Sequence, residues 1–251
     1  MSAEAEAPPR PRPLWLLAVL GGGALAASVA LTGLGIWQVQ RLGWKLALID
    51  RIEARVHAAP AALPPPPDWG AASAERDEYR RVAVRGVFRH DLETLVQALT
   101  EEGGGFWVLT PLDMADGGVI LVNRGFVPPE RRDPASRPES APADPVEITG
   151  LLRMTEPGGG FLRENDPGAD RWFSRDVAAI AQARGLERVA PWFLDAEAGE
   201  MPRGGLTVVR FSNNHLSYAL TWFALALGTV AAAIYVLRDE WRMRRRPQKQ
   251  A

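Results

Sequence analysis

The chain holds three histidines, His57, His90 and His215, and no cysteine in 251 residues. Without cysteine there can be no disulfide, iron–sulfur cluster, thiolate zinc site or CxxCH-attached haem. Any metal chemistry must therefore use imidazole and carboxylate, with non-covalent haem still open. His215 lies in SNNHLSYALTWFALALG, between polar asparagines and a long uncharged run. At helical spacing it shares a face with Tyr218, Ala219, Trp222 and Ala226, a strip on which a flat macrocycle could lie. Histidine is a standard axial ligand of haem iron. The same residues also read as an interfacial histidine within an aromatic belt, and spacing alone leaves both readings open.

The other candidates are weaker. His57 abuts a proline-rich stretch and His90 follows a strand, so both are expected at the surface. Asp77 with Glu78, and Glu164 with Asp166, are carboxylate pairs of the kind used for acid–base catalysis. In polar loops such pairs read as solvated surface. There is no Walker loop, no GxSxG, no HExxH and no complete GxGxxG, so an enzyme is not expected. Lys+Arg 29 against Asp+Glu 30 leaves a net charge of −1, which lacks the basic footprint of a nucleic-acid binder.

Two uncharged runs must position His215. Residues 14–40 and 211–237 each exceed the roughly 20 apolar residues needed to cross a bilayer. Ala24-Leu25-Ala26 imitates a signal-peptide cleavage site, but the apolar stretch continues through Val29, Leu31 and Ile36, longer than an h-region. Trp15 and Trp37 lie about 33 Å apart at 1.5 Å per residue, one bilayer core. Tyr218 and Trp241 mark comparable ends of the second run. Small residues repeat on both, as Gly23, Ala27 and Ala30 and as Ala224, Gly228 and Ala232, a pattern that lets helices approach closely. Gly33-Leu34-Gly35 also reads as helix packing.

Charge orients the spans. Arg238, Arg242, Arg244, Arg245, Arg246 and Lys249 follow the second, and Arg10 and Arg12 precede the first. Cationic flanks stay cytoplasmic. Arg41 and Lys45 pull the other way but are outnumbered. Residues 1–13 and 238–251 are therefore expected in the cytoplasm of a bacterium, and 41–210 outside its inner membrane.

The outer segment reads as β-rich. Residues 44–56 (WKLALIDRIEARV) have the spacing of an amphipathic helix continuing from the first span, followed by a polyproline linker at Pro64 to Pro67. In RRVAVRGVFRH, Val82, Val84 and Phe88 alternate with arginines, the mark of a half-buried strand. Further strands are expected at 93–99, 105–112, 118–127, 146–154, 191–196 and 206–211, with a hairpin turn at Asp116-Gly117. A helix is expected near Asp176 to Arg184. Residues 128–145 carry six prolines and read as an exposed loop. About seven short strands with one or two helices predict an α+β membrane protein whose antiparallel sheet or partly closed barrel lies between two transmembrane helices. Arg124 falls on the apolar face of Ile120, Val122 and Phe126, where it needs a carboxylate or carbonyl partner; the hairpin around it reads as a docking surface.

Four motifs in order carry a resemblance: GIWQVQRLGWK at 35–45, EYRRVAVRGVF at 78–88, TPLDMADGGVILVNRGFVP at 110–128 and GGLTVVRFSNNHLSYALTWFALA at 204–226. Together the chain resembles the surfeit-locus family of cytochrome c oxidase assembly factors from about Gly35 to Trp241. That resemblance implies a two-span inner-membrane protein that assists insertion of haem a into the large catalytic subunit of haem-copper oxidase. The expected partners are that subunit, the machinery that makes and delivers haem a, and membrane lipids. Bacterial members are similar to haem a chaperones, in which the histidine opening the second span is implicated as a ligand. Here that residue is His215, with Tyr218 and Trp222 beside it and Arg210 and Arg41 placed to meet the propionates. A scaffold that stabilises an oxidase intermediate without touching haem is the alternative.

Overall fold

The computed structural model describes residues 11–138, 145–160, 162–197, 199–207 and 211–245. Two compact units divide the chain: Met1–Ile49 with Phe211–Ala251, and Asp50–Arg210. The first contains the apolar part of α1 (Leu14–Val56) and all of α4 (His215–Arg245). Both helices are long and apolar enough to cross a membrane.

The shielded positions within this unit follow a 4-3 spacing. On α1 they are Gly21, Ala24, Ser28, Leu31, Gly35 and Gln38; on α4 they are His215, Ala219, Trp222, Ala226, Thr229, Ala233, Val236 and Glu240. A period of 3.5 is that of a coiled-coil seam. Gly35 sits on that seam because the Phe223 ring lies where a Cβ would be. The small-residue stripes expected from the sequence are therefore corrected. Gly23, Ala27, Ala30, Ala224 and Gly228 face away from the seam. Ala232 instead joins Gly21, Ala24 and Val236 around an apolar groove of about 320 Å³. In an alanine-rich helix several four-residue rows exist, and only partner contact selects one. At the last seam position, buried Glu240 accepts the Arg12 backbone N–H at 3.1 Å.

The second unit is β-rich. Its strands are β1 (Ala61–Ala62), β2 (Arg81–Phe88), β3 (Thr94–Thr100), β4 (Gly103–Met114), β5 (Val119–Val127), β6 (Val146–Met154), β7 (Gly159–Gly160), β8 (Arg163–Glu164) and β9 (Val189–Ala196). The short helices α2 (Ala74–Asp77) and α3 (Val177–Ala183) accompany them. Strand order β2-β6-β9-β5-β4 closes on itself through β2–β4, giving a five-stranded Greek-key barrel with β3 beside β4. The pairings are antiparallel except β5–β9 and the short β1–β2. Parallel pairing needs a crossover, and the chain between β6 and β9 supplies it with α3. Gly86 pairs with Val146 of β6 and Met114 of β4, at the closure, where a Cβ would collide with the Asp113 carbonyl.

Alternation decides what lies inside. Val82, Val84, Phe88, Leu112, Ile120, Val122, Leu152, Trp192 and Leu194 fill the barrel. A second cluster on the outer face joins Val96, Leu109, Leu121 and Phe193 to Trp172 and to Val177 and Ile180 of α3. Asp176 caps α3 by accepting the Ala179 N–H. The Asp116-Gly117 turn forms as expected, with Gly117 at φ +77° and Asp116 Oδ1 accepting from Gly118.

Three expectations change. The proline stretch at 64–67 is docked: Trp69 donates to the Pro64 carbonyl and packs edge-on against core Trp192, with centroids 6.5 Å apart. Leu206 and Thr207 are irregular rather than strand, and 208–210 lie outside the described residues. Within 128–145, Arg137 is only 1% exposed because it forms an ion pair with Glu93; residues 139–144 lie outside the described residues.

Candidate functional site

His215 opens α4. Its backbone N–H donates to Asn213 Oδ1 at 3.4 Å, and the Asn214 carbonyl accepts from Tyr218, so the two asparagines hold the first turn. The imidazole turns into the seam and places Nδ1 2.7 Å from Oε1 of Gln38 on α1. Gln38 is 8% exposed. Trp222 is half-buried on the same face, while Ala219 and Ala226 are buried. The strip below His215 is thus a helix–helix contact and not the open bed that its composition suggests. Tyr218, 54% exposed, stands outside that contact.

The cations flanking this end are partly occupied. Arg41, one turn beyond Gln38, lies 4.8 Å over the Trp44 ring, and Lys45 lies 5.0 Å over Phe211. Both contacts are cation–π in geometry. Arg210 lies outside the described residues. Among the described residues no three His, Asp or Glu side chains converge as a metal cage.

In the β-rich unit Arg124 follows Ile120 and Val122 to the barrel face, as expected. Its guanidinium lies 4.9 Å over Phe88 and 3.3 Å from His90 Nδ1. Burial pulls its pKa down to about 10, with Glu93 opposing and Arg137 adding to the fall, so it stays charged at neutral pH. His90 is half-buried against Phe88 rather than exposed; His57 is exposed and bonds back to Glu53.

Three of the four carboxylates in those pairs are held by arginines. Asp77 is fully buried and takes bonds from Arg76, Arg80 and the Ser73 N–H. Burial alone would raise its pKa, but those bonds outweigh it and hold the carboxyl below its ordinary range. Glu78 pairs with Arg153, and Asp166 with Arg171.

The polar centre that sequence reading missed is Asp195 on β9. Its Oδ1 accepts from Asn123 Nδ2 at 2.8 Å and Arg175 at 3.3 Å; its Oδ2 accepts from Arg153 at 3.0 Å and Thr207 at 2.9 Å. These groups, with Trp107, line a cavity of about 240 Å³. The NRG run on β5 serves this centre. Asn123 reaches Asp195 and also accepts from the Gly125 N–H; Gly125, at φ +132°, lets the Arg203 backbone approach where a side chain would collide.

Two apolar spans and a closed five-stranded barrel in one chain define a membrane-anchored β-domain protein. The chain matches the SURF1 family over residues 25–227. It is 40% identical over 226 residues to Surfeit locus protein 1 of Homo sapiens, covering 82% of this chain and 73% of that one. It is 38% identical to the Xenopus tropicalis protein of the same name (86% and 72% covered). To the SURF1-like protein of Monosiga brevicollis it is 37% identical (87% and 89% covered). The chain belongs to the SURF1 family.

Proposed function

We propose that this protein is a non-enzymatic assembly factor for haem-copper cytochrome c oxidase. It takes haem a as cargo at His215 and assists its insertion into the large subunit. The observation that carries the reading is the His215 imidazole at the mouth of the helix pair, with its Nδ1 taken up by Gln38; in this reading Nε2 is the atom that meets iron. Trp222 and Tyr218 supply aromatic surface beside it, and Arg41 supplies positive charge for a propionate one turn beyond Gln38. The depth suits such cargo, since an apolar ring stays in the hydrocarbon layer while carboxylates reach water. The protein in this reading resides in a bacterial inner membrane with both termini cytoplasmic and residues 41–210 periplasmic. Its partners are the oxidase subunit, the enzymes that deliver haem a, and lipid.

The visible spectrum of the purified full chain, with and without supplied haem a, tests this. A haem spectrum is expected in wild type and lost in His215→Ala, with His57→Ala and His90→Ala unchanged. A wild-type spectrum in the His215 variant would refute the ligand assignment. Absence of haem binding in any form would leave the scaffold role.

A further inference from the structure

We infer that Gln38 is a positioning residue for His215: its amide oxygen keeps the imidazole proton on Nδ1 and so leaves the Nε2 lone pair for a metal. The inference rests on the reading of His215 as a ligand, and it concerns a residue on the opposite helix, 177 positions away.

The chemistry follows from the contact. A neutral imidazole has one donor and one acceptor nitrogen, and which is which is set by the bond one of them makes. The facing atom at 2.7 Å is Gln38 Oε1, an acceptor, and it pairs with the tautomer that carries its hydrogen on Nδ1. Gln38 sits on the seam at 8% exposure, where an amide without a partner would be costly. The preceding seam positions are Leu31 and Gly35, which offer the imidazole no side-chain hydrogen bond. His215 is thus the partner the seam provides for the amide oxygen, and the amide in turn fixes the ring's tautomer and heading.

The type of acceptor matters as well. Metal-bound histidines commonly donate their second nitrogen to a carboxylate or carbonyl, and a stronger acceptor makes a more basic ligand. An uncharged amide makes the imidazole a weaker donor than a carboxylate would. That suits a ligand which must give its cargo up.

Full-length protein carrying 15N-histidine in lipid nanodiscs, without haem, reads the tautomer directly from the ring nitrogen shifts. Wild type should show His215 protonated on Nδ1, and Gln38→Leu should move the population toward the Nε2–H form. A wild-type ring protonated on Nε2, or no change in Gln38→Leu, overturns the inference. With haem a supplied, Gln38→Leu should bind about 10- to 100-fold more weakly, the range usual for loss of such a partner. Gln38→Glu should restore binding and slow release to an acceptor protein. If His215→Ala loses haem while Gln38→Leu keeps wild-type affinity and spectrum, the positioning role falls and the ligand assignment stands. If the tautomer shifts as expected but His215→Ala binds haem normally, the ligand assignment falls and takes the metal-facing role of Gln38 with it.

Discussion

Asn123 and Asp195 stand opposite each other on the parallel strands β5 and β9, and the amide of one donates to the carboxylate of the other at 2.8 Å. Around that contact Arg153 and Arg175 bring two guanidinium groups to the same buried carboxylate, each with a second acidic partner, Glu78 and Glu156. Removing the central charge strands the two cations more than it frees them. Asp195→Ala should therefore destabilise the domain by about 3 kcal/mol, toward the low end for breaking a buried pair because Glu78 and Glu156 remain. Urea unfolding in detergent, followed by the fluorescence of core Trp172 and Trp192, measures it. Asp166→Ala, which breaks an exposed pair with Arg171, should stay within about 0.5 kcal/mol of wild type.

Acid should weaken the same domain through two carboxyls. Asp77 and Glu156 are both held below their ordinary pKa: burial pushes each upward, and bonds from arginine and backbone N–H groups overcome it. A group depressed in the folded state binds its proton more readily when unfolded. Its contribution is therefore complete above the unfolded pKa of about 4 and disappears as pH falls through the folded value. Stability measured from pH 7 downward should be flat from these groups until about pH 5 and then decline. The double variant Asp77→Asn, Glu156→Gln should start lower and decline less steeply. An unchanged slope would show that other groups govern acid unfolding.

Arg124 gives a prediction with two readouts. Its stacking on Phe88 and contact with His90 should make Arg124→Ala cost about 1–2 kcal/mol. If the surface also docks a partner, oxidase haem a content in membranes should drop more than that loss of stability explains, and Arg124→Lys should not restore it. Intact stability together with intact oxidase would remove both roles.

Topology can be checked without purification. In the proposed topology the arginine cluster from Arg238 onward is the cytoplasmic flank, so a reporter active only in the periplasm, fused after Ala251, should be silent. A bright fusion inverts the orientation.

Much of this architecture was legible because it rests on short periods. The uncharged runs gave both long helices, and Val82, Val84 and Phe88 gave β2 and its inward face. What escaped depends on distance. Asn123, Arg153, Arg175, Asp195 and Thr207 meet only after the barrel closes, and none of their local windows differs from ordinary strand or loop. Gln38 drew no reading from the sequence because its partner lies 177 positions away. Arg137 sat in a proline-rich stretch whose composition says surface, and an ion pair with Glu93 buried it. The small-residue rows misled for the opposite reason: local pattern was abundant, and only the partner helix distinguishes the row it touches.

The place of β9 between β5 and β6 also dictates an order of assembly during synthesis. A nascent chain that has emerged only through β6 has two facing edges with an open slot between them, each a row of unpaired N–H and C=O groups. The slot fills only when residues 189–196 arrive, and α4 begins at His215 shortly afterwards. Truncation between Met154 and Val189 thus leaves an unclosed barrel with two sticky edges. Such a product belongs to protein quality control, whichever surface or ligand residues it retains.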